Sequence, residues 1–183
     1  MVRLKAGDEQ AFEELVQRYQ DHIFSTLFHW LGNEEEAKDV TQETFVRAWT
    51  SVKGFRGESS LRGWLFAIAR NACKNTFRSW ARKHRSSTQS IDAELMDGEA
   101  PLQIADRGLS SLEKLEEAER ARLVRQVLQD IEPDFRVVVT CCDMEGMSYE
   151  EAAEACECPV GTVRSRLHRG RALMKKRLEV LLT

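Results

Sequence analysis

The chain has 183 residues, of which 42% are hydrophobic and 31% charged, with three prolines, ten glycines and a formal net charge of −3. This composition is typical of one or two globular domains and argues against a disordered chain. Because no apolar run approaches the ~18 residues of a membrane span and the first residues lack a signal-peptide core, we predict a cytoplasmic protein without membrane insertion.

Two amphipathic helices are predicted first. Apolar residues recur every three or four positions from Phe12 to Trp30, which is the spacing of a core-facing helix that ends at Gly32. A second helix is predicted from Glu34 to about Val52, because acidic side chains favour a first helical turn. Three polar residues three and four positions apart form a ridge on it: Asp39, Gln42 and Glu43. From spacing alone, this ridge is more simply a solvent-exposed face.

The stretch from Phe55 to Arg85 is strongly basic, with eight cations against the single acid Glu58. Glycine and serine predict a loop before a helix that runs from Leu61 to about Arg85. Aromatic residues are interleaved with the cations, and such surfaces bind single-stranded nucleic acid by stacking bases while the cations follow the backbone. Each ring fits a core position equally well. The basic residues lie on one stripe: Arg62, Arg70, Lys74, Arg78 and Arg82.

Residues 86–111 are polar and acidic, with glycine, proline and serine, and predict a flexible linker. A helix is predicted next from Leu112 to Ile131. The run FRVVVTCCD at 135–143 has strand propensity, but a lone strand has no partner here, so we predict a helix. The fold class is therefore all-α: two small helical domains, 1–85 and 112–183, joined by the linker.

The C-terminal segment predicts a helix-turn-helix. Ser148 and Glu151 have the spacing of a capping box, so a helix begins there and ends before Pro159. A second helix follows from Val160 to Leu178, and a turn of about three residues joins the two. This second helix carries seven cations and no carboxylate, which favours the DNA major groove. Five apolar residues are expected to face inward: Val163, Leu167, Leu173, Met174 and Leu178.

At these residues the chain resembles a known family. SYEEAA followed by CPVGTVRSRLHRGR is similar to the promoter-reading region 4 of extracytoplasmic-function sigma factors of bacterial RNA polymerase. EEAKDVTQETFVRAW resembles region 2.2 of the same family, and FRGESSLRGWLFAIARNACKN resembles regions 2.3 and 2.4. Two departures are Ala152, where the family has a larger aliphatic residue, and Glu157, where it has glycine. A left-handed backbone at Glu157 costs about 1 kcal/mol.

The resemblance implies three sets of contact residues. Contacts to duplex minus-35 DNA are implied for Thr162, Arg164, Ser165, Arg166, His168 and Arg169. Contacts to the single-stranded minus-10 element, including a pocket for a flipped base, are implied for Arg56, Ser59, Ser60, Arg62, Arg70, Asn71, Lys74 and Asn75. Docking on the coiled coil of the polymerase β′ subunit is implied for Asp39, Gln42, Glu43, Phe45 and Arg47.

The same resemblance implies a non-enzymatic protein that binds core RNA polymerase, through its β′ coiled coil and β subunit, and promoter DNA, and that an anti-sigma factor controls. From the residues alone, alternatives are a dimeric helix-turn-helix repressor or activator, whose N-terminal half dimerises, and a stand-alone RNA- or single-strand-binding protein. No catalytic constellation or cofactor motif is recognised.

An odd number of cysteines indicates reduced thiols rather than a disulfide framework. Zinc or redox roles are conceivable for Cys141, Cys142, Cys156 and Cys158, but their spacing differs from that of zinc knuckles, so we predict no metal site. Cysteine is also a frequent small core residue, which is the simpler interpretation for these four and for Cys73.

Overall fold

The computed structural model describes residues 2–57, 59–74, 76–79 and 111–181. Across these ranges the chain is helical and contains no strand, which confirms the all-α prediction. The helices are α1 (Val2–Lys5), α2 (Glu9–Leu31), α3 (Glu34–Ser51), α4 (Leu61–Ala72), α5 (Ser111–Asp130), α6 (Pro133–Val139), α7 (Tyr149–Cys156) and α8 (Val160–Leu181). A 3₁₀ turn covers Val52–Gly54 and a π-helical segment covers Thr140–Met144.

The first long helices begin and end at the predicted positions because local caps satisfy their terminal groups. Asp8 caps α2 by accepting from the Ala11 amide at 3.1 Å. Gly32 ends that helix in the left-handed conformation, with φ 73°, and its amide donates to the Phe28 carbonyl. Asn33 then caps α3. These two helices form an antiparallel pair.

The basic helix is shorter than predicted. Instead of running on from Leu61 to Arg85, α4 ends at Ala72, and the chain turns at Cys73 before residues 74 and 76–79 become helical again. Cys73 is fully buried, and its amide donates to the carbonyls of both Ala69 and Arg70, which tightens the last turn. The predicted remainder of this helix, beyond residue 79, lies outside the described residues.

The segment with strand propensity is helical, as predicted. Pro133 is the first residue of α6, where its fixed φ suits a helix start. The π-helical segment then follows without a break and ends before Gly146, which has φ 61°. The predicted linker at 86–111 lies outside the described residues, except that α5 already begins at Ser111.

The N-terminal and C-terminal halves share one hydrophobic core. Its fully buried members come from α2 to α8, and the largest include Ile23, Trp30, Phe66, Leu128 and Val138. Arg62 and Arg70 of the basic stripe therefore lie against the C-terminal half, whereas Lys74 and Arg78 are exposed. A smaller cluster holds α1 against α2 and the 3₁₀ turn: Leu4, Ala11, Leu15 and Val52.

Within the described ranges, the helices are too short or too polar for any of them to cross a lipid bilayer.

Candidate nucleic-acid and partner interfaces

The helix-turn-helix consists of α7, a tight turn and α8. The predicted capping box is present: Ser148 Oγ accepts from the Glu151 amide, and the Glu151 carboxylate accepts from the Ser148 amide, both at 3.1 Å. Glu157 ends α7 in the left-handed conformation, with φ 49° and ψ 46°. The strain expected there is therefore present, since this is glycine's preferred region.

The outward face of α8 presents the predicted minus-35 residues. Arg164, Ser165, His168 and Arg169 are exposed, Thr162 is half-buried, and Val163 and Leu167 anchor the opposite face. The Arg164 guanidinium lies 5.5 Å from the ring centroid of Tyr149, a stacking contact that holds it across the first turns of α8. Such a row can reach base edges and phosphates.

Arg166 differs from the other predicted minus-35 residues. Its side chain is 26% exposed and forms an ion pair with Asp134 at the start of α6. Arg166 thus faces the junction between the two halves of the chain in this conformation.

The fully buried residues of α8 lie in its first half. A Cβ added at Gly170 would lie 2.6 Å from Val139, so the absent side chain allows α8 to approach α6 closely. The prediction that Leu173 packs inward is wrong, since Leu173 is 39% exposed. Met174, by contrast, is partly buried against the core, and Leu178 is partly covered.

The loop before α4 borders a pocket of ≈ 370 Å³. The rings of Phe55 and Trp64 lie 5.0 Å apart at its wall, and Arg56 and Ser59, two predicted minus-10 residues, also line it. The Lys5 ammonium lies 6.0 Å from the Phe55 ring. An aromatic wall beside cations is suited to an unstacked nucleobase.

Four other predicted minus-10 residues lie on the face of α4 that contacts the C-terminal half: Ser60, Arg62, Arg70 and Asn71. Each is half-buried. Lys74 is exposed beyond the turn at Cys73, and Asn75 lies outside the described residues. The structure thus places two of the eight predicted minus-10 residues at the pocket and four at the junction between the two halves.

The predicted docking ridge on α3 is exposed at Asp39, Gln42, Glu43 and Arg47, and Arg47 pairs with Glu43. Phe45 behaves differently: it is 8% exposed and packs edge-on against Phe12 at 6.5 Å between centroids. Its role in this structure is to hold α3 in the core.

Sequence reasoning missed Val46, which is 64% exposed. Positions 39, 42, 43 and 46 follow helical spacing, so Val46 extends the ridge by one turn. The sequence could have indicated this residue, because Val46 is apolar and lies on the otherwise polar face of α3. Also missed were the acidic partners of α4, namely Glu145, Glu154 and Glu157, for which the sequence carries no local signal.

Four cysteines gather around the end of α7. The Cys141 thiol is hydrogen-bonded to Cys156, which lowers the pKa of Cys156, and the nearby Arg70 and Arg166 act in the same direction. Burial raises the pKa of Cys142 to about 11. Among the described residues, no group of three or more histidine, cysteine or acidic side chains has the arrangement of a metal site.

Two family profiles match the chain, one to each half. Sigma-70 region 2 matches residues 15–83, which contain α3, the loop pocket and α4. Sigma-70 region 4 matches residues 121–174, which contain the helix-turn-helix.

Full-length relatives are similar over nearly the whole chain. The RNA polymerase sigma-H factor of Pseudomonas aeruginosa is 36% identical, over 98% of this chain and 92% of its own length. The ECF RNA polymerase sigma-E factors of Haemophilus influenzae and Escherichia coli K12 are each 34% identical over 98% of this chain, covering 94% and 93% of their own lengths.

Two solved structures share the fold. One is the sigma factor RpoE of Bartonella quintana in complex with the anti-sigma factor NepR, with a TM-score of 0.67, 24% identity and coverage of 93% of this chain and 98% of that one. The other is CnrH in complex with the cytosolic domain of CnrY, with a TM-score of 0.69, 23% identity and coverage of 98% and 94%. With both sigma regions present in order and full-length relatives above 30% identity, the chain belongs to the extracytoplasmic-function sigma factors of RNA polymerase.

Proposed function

We propose that this sigma factor binds core RNA polymerase through α3, reads minus-35 duplex with α8 and holds the melted minus-10 strand with the loop pocket and α4. The observation that carries the proposal is the outward face of α8, where Arg164, His168 and Arg169 are exposed opposite the buried Val163 and Leu167. A one-signed face on a helix-turn-helix complements the phosphates and base edges of a major groove.

The pocket beside Phe55 and Trp64 supports strand melting. An open duplex leaves an unstacked base that must be held, and an aromatic wall supplies a stacking partner worth ~1–3 kcal/mol per base. Arg56 and Ser59 line the same pocket, which supports their proposed contact with the backbone of that strand.

The α3 ridge supports polymerase docking. One exposed stripe on α3 is formed by Asp39, Gln42, Glu43 and Val46. It combines two carboxylates and an amide with an apolar side chain at one end, a mixed composition that suits contact with another helix.

A cytosolic anti-sigma partner is part of the proposal. The two structural neighbours were solved bound to NepR and to the cytosolic domain of CnrY, respectively. Because its proposed targets are RNA polymerase and promoter DNA, the proposed location of this chain is the cytoplasm. The dimeric-repressor alternative does not account for the match of the N-terminal half to Sigma-70 region 2.

Co-elution with bacterial core RNA polymerase tests the proposal. We expect the wild-type chain to co-elute and the double variant Asp39→Lys, Glu43→Lys to lose the association, because reversed charge opposes the same partner surface. A matched control is Glu13→Lys with Glu119→Lys, which makes the same change in net charge at exposed positions on α2 and α5.

Equal loss of association in the control pair assigns the effect to net charge and overturns the α3 assignment. Absence of wild-type association, together with a dimer that binds duplex DNA alone, overturns the proposed function itself. A Val46→Asp variant that leaves binding unchanged removes that residue from the docking face.

A further inference from the structure

Helices α4 and α7 approach each other closely because small residues line their contact. Ala152 and Ala155 are fully buried between them. A Cβ built at Gly63 would lie 2.3 Å from the Glu154 carboxylate and 2.9 Å from the Glu154 Cβ. No side chain larger than hydrogen fits at position 63 unless Glu154 moves. The close contact of the two helices therefore depends on a glycine.

Glu154 occupies the start of α4. Its Oε2 accepts from the Ser60 amide at 2.9 Å and from Ser60 Oγ at 3.1 Å, while Ser60 Oγ itself accepts from the Gly63 amide at 2.9 Å. A carboxylate is favoured here because the amides at a helix N-terminus carry partial positive charge. The same donors are suited to a phosphate or a base edge.

Glu145 forms the second contact and is more deeply buried, with its side chain only 7% exposed. Its carboxylate accepts from Arg62 at 3.0 Å and from Thr26 Oγ1 at 2.8 Å, and His22 Nδ1 lies 3.2 Å away. Arg62 also donates to the Glu145 carbonyl. Partly buried charge pairs of this kind are screened less by salt than surface pairs.

The third contact is weaker and lies nearer solvent. Asn71 donates to Glu157 at 2.9 Å, and the Arg70 guanidinium lies 3.9 Å from both Glu157 and Asp134. The carboxylates of Glu157 and Asp134 are about half exposed, so these pairs contribute little stability. They nevertheless place acidic groups over two further residues of the proposed strand-binding face.

We propose that Glu145, Glu154 and Glu157 form an internal lock. In this lock, acidic side chains of the C-terminal half bind the minus-10 residues of the N-terminal half and thereby block their contact with DNA. The lock rests on the proposed function of α4 and adds regulation within the chain itself. Carboxylates satisfy the same cations and amide donors that a DNA strand requires, so the closed chain and strand binding are mutually exclusive. Core polymerase, which must engage both halves, selects the open form.

Two independent kinds of variant open the lock. Glu145→Gln with Glu154→Gln keeps the side-chain shape but removes the charges. Gly63→Ala changes no charge, clashes with Glu154 in the closed form and favours helical α4 in the open form, because alanine has a higher helix propensity than glycine. The matched control is Glu119→Gln with Glu150→Gln, which removes two exposed carboxylates outside the lock.

Opening is measured on the full chain by hydrogen exchange of residues 59–72 and by the radius of gyration in solution. Strand affinity is measured by anisotropy of a short fluorescein-labelled single strand of randomised sequence. If the closed form holds about nine-tenths of the molecules, both opening variants bind the strand about tenfold tighter than wild type, and the control stays within about twofold.

Three outcomes overturn the lock: unchanged exchange and radius in both opening variants, opening without tighter strand binding, or the same gain in the control. A parallel measurement with wild-type chain on core polymerase separates the lock from the proposed function. If the complex of wild-type chain and core polymerase binds the single strand, but the free opening variants bind it no more tightly than the free wild-type chain, only the lock is overturned. No strand binding by any form overturns both.

Discussion

The buried guanidinium of Arg136 donates a hydrogen bond to the main-chain carbonyl of Trp30, which joins the start of α6 to the end of α2. Arg136 is 2% exposed, and it also donates to the Gln129 side chain at 2.7 Å and to the carbonyls of Gln129 and Ile131 at 2.8 and 3.0 Å. These carbonyls lie at the ends of two helices, where intrahelical donors are lacking. One side chain thus donates hydrogen bonds to main-chain carbonyls in both halves of the molecule.

Burial lowers the pKa of Arg136 to about 10, so the side chain remains charged at neutral pH. Replacement by methionine removes the Arg136 donor from three main-chain carbonyls, two of them in buried hydrogen bonds. We expect Arg136→Met to lower the free energy of unfolding by about 3–5 kcal/mol, measured by urea denaturation. Arg120→Met is the matched control, because Arg120 is 78% exposed, and its expected cost is under about 0.5 kcal/mol. Equal costs contradict the bridging role.

The sequence contains little that predicts this bridge. Arginine is rarely fully buried, and nothing near Arg136 in the chain indicates that its partner is Trp30, more than a hundred positions away. The same applies to Glu145 and Glu154, whose partners on α4 come from the other half of the chain. Pairings between distant segments depend on how helices pack, which periodicity does not encode.

Local features were predictable because neighbouring residues determine them. The capping box at Ser148 and the end of α2 at Gly32 follow from side-chain and backbone chemistry within one turn. Helical periodicity also places Val163 in the core. It also allowed Phe45 to pack in the core, as it does, whereas the docking role of Phe45 was implied by the family resemblance. Successive residues point about 100° apart around a helix, so the adjacent Val46 lies on a different side of α3 and is exposed.

The left-handed conformation of Glu157 predicts an unusual response to substitution. Glu157→Gly and Glu157→Ala both remove the carboxylate that accepts from Asn71, so the difference between them isolates backbone strain. We expect the glycine variant to be about 1 kcal/mol more stable than the alanine variant, because only glycine adopts φ 49° without cost. Thermal unfolding of the two proteins checks this. Equal stability contradicts strain at the turn.

Acid should destabilise the fold through His29. Burial lowers the pKa of His29 to about 4, and the charge of Arg125 adds to the effect. Because the unfolded chain takes up this proton near the ordinary value of ~6.5, stability is complete above that pH and declines as pH falls towards 4.

Between about pH 7.5 and about pH 5, we expect the wild-type protein to lose about 2 kcal/mol through this group alone. The variant His29→Gln has no such group and should lose correspondingly less over the same interval. Urea unfolding of both proteins at the two pH values measures the difference. Parallel losses in the two proteins contradict a buried neutral imidazole at position 29.

The outward face of α8 predicts how DNA affinity depends on salt. Arg164 and Arg169 are exposed, whereas Arg166 is paired with Asp134, so the first two are the better probes of phosphate contact. Replacing both by alanine should weaken binding of the polymerase holoenzyme to a duplex selected from genomic fragments by the wild-type holoenzyme. The slope of log affinity against log salt should become shallower by about one for each lost phosphate contact.

The matched control replaces Lys175 and Lys176, which are also exposed but lie in the second half of α8. Because only the first turns of a recognition helix enter the groove deeply, this control should change the slope less than the Arg164 and Arg169 pair does. Association with core polymerase should be the same in all variants, since α3 is untouched. If the lysine pair changes the slope as much as the arginine pair, a general electrostatic attraction accounts for binding, and the assignment of the first turns of α8 to the minus-35 element is wrong.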